Sequence, residues 1–384
     1  MTDMQNVWKK RQKINRKCKG GSKDMINTYT FLKDHKRISI IGMEKNVGKT
    51  TLLNQLILDI ADQKILALTS IGRDGEEVDV VTSTHKPKIF VYPGTIVATA
   101  RDCLANCDIT KEILYTTNFT TPMGNIVVVR AITGGYVDIA GPSYNKQIKE
   151  ILNIMESFGA EISIVDGALG RKSSAIGEVT DATVLATGAA FSLDMSKVIE
   201  ETKKTTILLN LPEFSGEKKE IESWMSKARV VIQQKDGTVI FLKAISTMDS
   251  VQEIKEYLKK DLENVFVRGA VTSRFLDVFI KNRGNFDHVN LVAIDGTRFF
   301  ISYQEYQKAL ACNLSFYVMN TIHLLFVSCN PHSPLGVDFP KKEFQNKLQQ
   351  EILCHVIDVK EGEKCDLSMK EVSKESVLTD SCHV

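Results

Sequence analysis

The sequence predicts an α/β protein: a parallel sheet covered by helices, then a second, smaller α/β domain. Three observations carry this. Short β-branched apolar runs alternate with helix-period runs from Arg37 onward. Those apolar runs are continuous rather than alternating, as strands buried on both faces of a parallel sheet are. Finally, 384 residues with a 43% hydrophobic share suffice for two cores, and the polar stretch 212–219 divides them.

In order, residues 1–35 form a basic N-terminal arm, and the first domain spans 36–212. "RISII" reads as a strand, and residues 50–61 as a helix with Leu52, Leu53, Leu56, Ile57 and Ile60 on one face. "KILALTSI" and "KIFVY" are further strands, and 95–105 reads as helical. "EILYTT" and "NIVVVRAI" flank "PMG", which predicts an inserted β-hairpin. Ser143, after Pro142, is placed to cap a helix running to Phe158. "ISIVDGALGR" and "DATVLATGAA" follow, then the helical "DMSKVIEETKK" and a further apolar run, "TTILLNLP". The second domain is assigned to 220–359. It opens with the hairpin "VVIQQKDGTVIFLKAI", where Asp236-Gly237 supplies positive φ angles. It continues through "VFVRGAV", "NLVAID", "HLLFVSC" and "CHVIDV". Residues 360–384 are charged and aperiodic, the composition of a disordered tail.

Composition excludes several classes. A formal net charge of +2 supplies no global field for nucleic acid. No run approaches the ~20 apolar residues of a membrane helix, and the basic start lacks the apolar core of a signal peptide. Eight cysteines at irregular spacing point to reduced thiols in the cytoplasm.

The chemistry concentrates in "ISIIGMEKNVGKTT", residues 38–51. A phosphate loop has glycine, four residues, then Gly-Lys-Ser/Thr. Here Gly42 stands one position further out, with Met43 in the usual first-glycine place. Gly48 permits close backbone approach, and the amides of Asn46, Val47, Gly48, Lys49, Thr50 and Thr51 can form an anion nest at a helix N-terminus. Lys49 then reaches the outer phosphates and Thr50 binds Mg²⁺, which makes the first domain a nucleotide-binding P-loop NTPase. Asp166, at the tip of a neighbouring strand, is the expected second Mg²⁺ ligand. Asp74, in the cluster with Glu76 and Glu77, is assigned to Mg²⁺ or to positioning water. Arg73 and Arg171 are candidates to neutralise phosphoryl charge, each equally readable as a surface residue. Cys103 and Cys107 lie one helical turn apart, but no further Cys or His pair completes a zinc set, so helix packing explains them better. His332, in "CNPHSPLG", is a further candidate at a strand end, the bland reading being a Pro-bounded rigid loop.

Two resemblances add to this. "GMEKNVGKT" is similar to the loop of dethiobiotin synthetase-like enzymes, P-loop proteins related to the ParA/MinD ATPases. The ParA signature lysine is replaced by Glu44, so that dimer mechanism is not implied. The "DGA" at Asp166 matches the family's "EGA", and Asn210 stands where the family places an asparagine against the base. With no guanine signature, the resemblance implies ATP rather than GTP. More broadly, the loop, "TSIGRDGEE", "YPGTIVATA", "AGPS", "DGALGRKSSA" and "DATVLATGAA" resemble clostridial P-loop subunits. Those subunits belong to systems that reactivate the cobalamin-dependent lysine 5,6-aminomutase. This resemblance covers about residues 37–210, with echoes such as "VRGAVTSRFLD" beyond. It implies a Mg-ATP-driven factor that acts with a companion subunit on the aminomutase, expelling damaged cobalamin. The alternatives are a dethiobiotin synthetase-like ligase that activates a small carboxylate, and a non-hydrolysing binding module. Asp166 argues against the last.

Overall fold

Two sheets organise the chain. The structure, a computed structural model, describes residues 27–72, 88–167, 179–334 and 336–359. In chain order the strands are β1 (Arg37–Gly42), β2 (Leu66–Ser70), β3 (Ile89–Val91), β4 (Ile96–Ala100), β5 (Lys111–Thr121), β6 (Gly124–Ala131), β7 (Gly135–Val137), β8 (Ile162–Asp166) and β9 (Ala182–Gly188). Then come β10 (Val230–Gln234), β11 (Val239–Phe241), β12 (Leu262–Val267), β13 (Val271–Thr272), β14 (Val289–Ala293), β15 (Phe299–Phe300), β16 (Leu314–Val318), β17 (Leu324–Asn330) and β18 (His355–Ile357). The longer helices are α1 (Lys49–Ile60), α2 (Asn145–Ser157), α3 (Met195–Leu209), α4 (Lys218–Lys227), α5 (Ser273–Lys281), α6 (Tyr303–Leu310) and α7 (Lys341–Glu351).

The large sheet runs β18-β17-β9-β1-β8-β2-β4-β6-β5. Neighbours from β18 to β4 are parallel, and only β4–β6 and β6–β5 are antiparallel. The central strands, from β9 to β4, bury both faces. Ile38 and Ile40 of β1 pack with Leu52, Leu53, Leu56 and Ile57 of α1, while Ile41 points the other way into a core shared with α3 and α7. Ala98 and Val165 face α2 on that second side. The architecture is mixed α/β with a large, mostly parallel sheet, as the continuous apolar runs predict.

The small sheet runs β11-β10-β12-β14-β16. Val265 and Leu291 face Phe275 and Phe279 of α5, while Phe266 faces Met225 of α4.

Several expectations need correction. The second domain was expected to fill 220–359, yet the small sheet holds only strands from Val230 to Val318. β17 and β18, the "HLLFVSC" and "CHVIDV" runs, return to the large sheet beside β9. An apolar run carries no label for its partner strand, so only long-range pairing decides this. Residues 95–105 are not a helix: Thr95, Ile96, Val97 and Thr99 are β-branched and extend into β4, followed by a 3₁₀ turn over Arg101–Asn106. "TTILL" continues α3 instead of forming its own strand. Ser143 does not cap α2, whose N-cap residue is Tyr144 with no side-chain cap. In the β10–β11 hairpin only Gly237 has positive φ, +86°, so the connection is longer than a two-residue turn.

Candidate functional site

The site lies where β1, β8 and β9 end. Gly42 closes β1, and α1 begins at Lys49, so the connection 43–48 bends over the C-terminal edge of the sheet. Two residues give it shape: Asn46 at φ +62° and Gly48 at φ +95°. Val47 is buried among the apolar residues beneath α1, which pins the loop from inside. What it could offer a ligand is its backbone amide. Gly48 caps α1 without a side-chain partner, and Lys49, Thr50 and Thr51 form the first turn, half-buried. The first-turn amides of a helix lack intrahelical acceptors and carry the positive end of the dipole.

Gly42 matters for what lies over it. A Cβ there would come within 2.7 Å of Lys49 Cδ and 2.8 Å of its Nζ. The lysine therefore folds back across the strand end, where Nζ donates to the Glu44 carbonyl at 3.0 Å. The missing glycine of the usual spacing is thus compensated geometrically: the glycine at 42 makes room for the lysine side chain.

Asp166 stands beside this. It is the last residue of β8, in register with Ile40 of β1 and Ser70 of β2. Its Oδ1 is buried and has no hydrogen-bond partner among the described residues. Burial pushes its carboxyl up to about 6, with the charge of Lys49 and the Gly167 amide pulling the other way. A buried carboxylate oxygen without a partner among the described residues is costly, and a cation is one partner that would satisfy it. Among the described residues no group of three His, Cys, Asp or Glu forms a closed metal cage. A phosphate-bound Mg²⁺ needs only one or two protein ligands, so Asp166 and the Thr50 hydroxyl suit that ion.

The rim opposite Asp166 is built by "AGPS". Gly141 donates its amide to Ser70 Oγ at 2.9 Å, and Gly72 donates to the Pro142 carbonyl at 3.1 Å. A Cβ on Gly141 would lie 1.8 Å from the Ser70 carbonyl, so only glycine fits.

The other predicted residues divide. Asp74, Glu76, Glu77, Arg73 and Arg171 lie outside the described residues. Asn210 is not brought to the loop. It ends α3, where Nδ2 donates to the Thr206 carbonyl at 2.9 Å. The helix passes the loop at Thr202, whose hydroxyl meets Met43 Sδ at 3.2 Å. Eight residues further on, Asn210 is about 12 Å away along the axis. Cys103 is buried against Met123, and Cys107 Sγ lies 3.3 Å from the Cys103 carbonyl, consistent with packing. His332 is exposed, with Nδ1 2.7 Å from Asp338 Oδ1.

One residue was missed. Asn330 ends β17 and stands against the loop: a Cβ on Gly48 would sit 3.2 Å from Asn330 Nδ2. Its Oδ1 accepts from the His332 amide at 3.3 Å, which aims the NH₂ group at the loop. The signal was available, since "LLFVSCN" ends an apolar strand in a polar residue just as "ISIVD" does.

No protein-family model matches the chain, and no curated protein is a match either.

Proposed function

We propose that the chain is a P-loop NTPase that binds Mg-ATP between the 42–51 loop and Asp166. The carrying observation is the buried, unpartnered Oδ1 of Asp166 next to Lys49. The loop amides and Lys49 would hold the phosphates; Thr50 and Asp166 would hold magnesium; Asn330 Nδ2 would donate at the loop's outer side. Magnesium supplies charge neutralisation at the phosphoryl oxygens when bound. The roles assigned to Asp74 remain part of this reading.

The same proposal takes the chain as a reactivating factor working on a protein partner, a cobalamin-dependent aminomutase with its companion subunit. This finer assignment rests on the resemblance over residues 37–210. It is supported by the second domain, whose sheet edge is filled rather than open. A Cβ on Gly296 would lie 2.0 Å from the Leu208 carbonyl, so the place where open α/β sheets bind ligands is occupied by the end of α3. That domain instead carries exposed Ile245, Met248 and Phe300, which the reading assigns to partner contact.

The ligase reading draws on one observation of its own. A cleft of about 460 Å³ lies between the β5–β6 turn and the start of α2, lined by Thr120, Thr121, Ser143, Tyr144 and Gln147. ATP turnover measured alone, with small carboxylates, and with inactivated aminomutase plus companion subunit separates the two. Stimulation by the partner supports the reactivating role, and carboxylate-dependent ADP release supports the ligase. Weakened nucleotide binding in Lys49→Ala is required by both.

A further inference from the structure

No helix among the described residues is long and apolar enough to cross a membrane, and the longest of them instead joins the two domains. α3 touches the loop near its middle and the second domain at its end. At the loop, Met43 follows Gly42, and its amide donates to the Ala186 carbonyl of β9 at 3.0 Å. Met43 Sδ meets the Thr202 hydroxyl, which also lies 2.8 Å from the Thr187 hydroxyl and donates to the Val198 carbonyl at 2.7 Å. Three oxygens and a sulfur are thus locked together in a buried spot one residue from the loop glycine. At the other end, Leu208 and Leu211 belong to the core of the small sheet, with Val265, Phe275 and Leu291. Gly296 seats directly on the Leu208 carbonyl. Beyond the helix, Val318 donates to the Pro212 carbonyl and Phe214 donates to the Val318 carbonyl, so the chain leaving α3 is stitched to β16.

Between these ends, Lys203 reaches two elements at once. Its ammonium contacts Glu351 of α7 at 2.7 Å and lies 5.6 Å from the centre of the Tyr303 ring, the first residue of α6. α7 sits between β17 and β18, so the contact ties the large sheet's last crossover to the second domain through one side chain.

We propose that α3 is a rigid coupling element through which occupancy of the loop is transmitted to the second domain. The inference rests on the nucleotide-binding reading and extends it to regulation. Phosphate held around residues 43–51 fixes Met43, and Met43 fixes Thr202. The helix has no internal glycine or proline at which to absorb a displacement. Its far end is part of the second domain's own core, so a shift at Thr202 becomes a shift of the surface that domain presents. Well-packed interfaces of this kind move as bodies.

The test uses the full chain and Mg-ATPγS, with affinity measured by calorimetry and amide exchange read by mass spectrometry over residues 296–310, none of which belongs to the proposed nucleotide site. Binding is expected to slow exchange there by about fivefold or more, the lower end of typical coupling between sites. In Thr202→Val, affinity stays within about threefold while most of that protection is lost. Lys203→Met, at the helix surface, is expected to do the same and serves if the buried substitution disturbs folding. Nucleotide binding with unchanged exchange over 296–310 overturns the coupling and leaves the nucleotide site standing. Full protection in both variants also overturns it. Absence of binding in the unsubstituted chain overturns the nucleotide reading itself.

Discussion

Two strands of this protein end in the same dipeptide and do opposite things with it. β8 ends in Asp166-Gly167 and β14 leads into Asp295-Gly296, each at the C-terminal end of a strand in a parallel portion of a sheet. Asp295 is fully buried and held locally: its Oδ1 accepts from the Thr297 amide at 2.8 Å and from the Thr297 hydroxyl, and Oδ2 forms an ion pair with Arg298 Nε at 3.7 Å, beyond hydrogen-bonding distance. Gly296 is closed over by the Leu208 carbonyl. Asp166 Oδ1 has no hydrogen-bond partner among the described residues and lies near the charge of Lys49. A Cβ on Gly167 would lie 3.1 Å from Ile71 Cδ1 and 3.9 Å from the Ile40 carbonyl. One edge is sealed by the chain itself. The other keeps a buried carboxylate oxygen with no partner among the described residues, where the proposed ligand would bind.

Breaking the sealed edge should have the largest effect. Asp295→Ala strands Arg298 and leaves the Thr297 amide without its acceptor. It is expected to cost about 3 kcal/mol or more, read as a lower denaturant midpoint, while nucleotide affinity changes by less than about twofold. A midpoint within error of the unsubstituted chain would show that the edge is not sealed by this residue.

The open edge should reveal itself through pH. The folded-state value for Asp166 is raised from 3.8 to about 6, so the folded protein holds that proton more tightly than the unfolded chain does. Protonation therefore favours folding. Relative to Asp166→Asn, the unsubstituted chain loses stability as pH rises from about 4 to 6, by at most about 3 kcal/mol. Denaturant midpoints of the two proteins across that range should diverge upward in pH. Parallel curves would place Asp166 in contact with a partner or with water. Mg-ATP, by supplying the missing cation, should narrow the gap above pH 6.

Next in size comes Lys49→Ala, expected to weaken ATPγS binding by about 30-fold, the scale of a charged hydrogen bond to phosphate, with little change in stability. Calorimetry decides it, and unchanged affinity would remove the loop from the nucleotide reading. Smallest is Asn330→Ala, which removes one neutral donor beside Gly48. It should cost about fivefold in affinity. No change there would confine the site to the loop and Asp166.

Much of the loop could be read in advance. Residues 38–60 combine a continuous apolar strand, glycines, Gly-Lys-Thr and a helix-period run, all local features that local sequence encodes. The observed α1 and its buried face follow that reading closely. Asp166 was legible for the same reason, as a polar residue ending an apolar strand. Asn330 followed the same rule but was overlooked, because its strand was assigned to the wrong sheet. The run before Asn210 is the opposite case. "TTILL" looks extended by composition, yet it is the last turns of α3, where Thr205 and Thr206 direct their hydroxyls to the carbonyls of Glu201 and Lys203. Residues 95–105 show the same ambiguity in reverse.

By itself, the sequence determined the α/β character, the loop between β1 and α1, and the carboxylate at the tip of β8, since each depends on neighbours within a few residues. Only the tertiary structure decided that β17 and β18 return to the large sheet, that Asn330 faces Gly48, and that Asp166 stands near Lys49. Those outcomes depend on which surfaces meet across a hundred residues or more, and burial energy is indifferent to the order in which the chain supplies them.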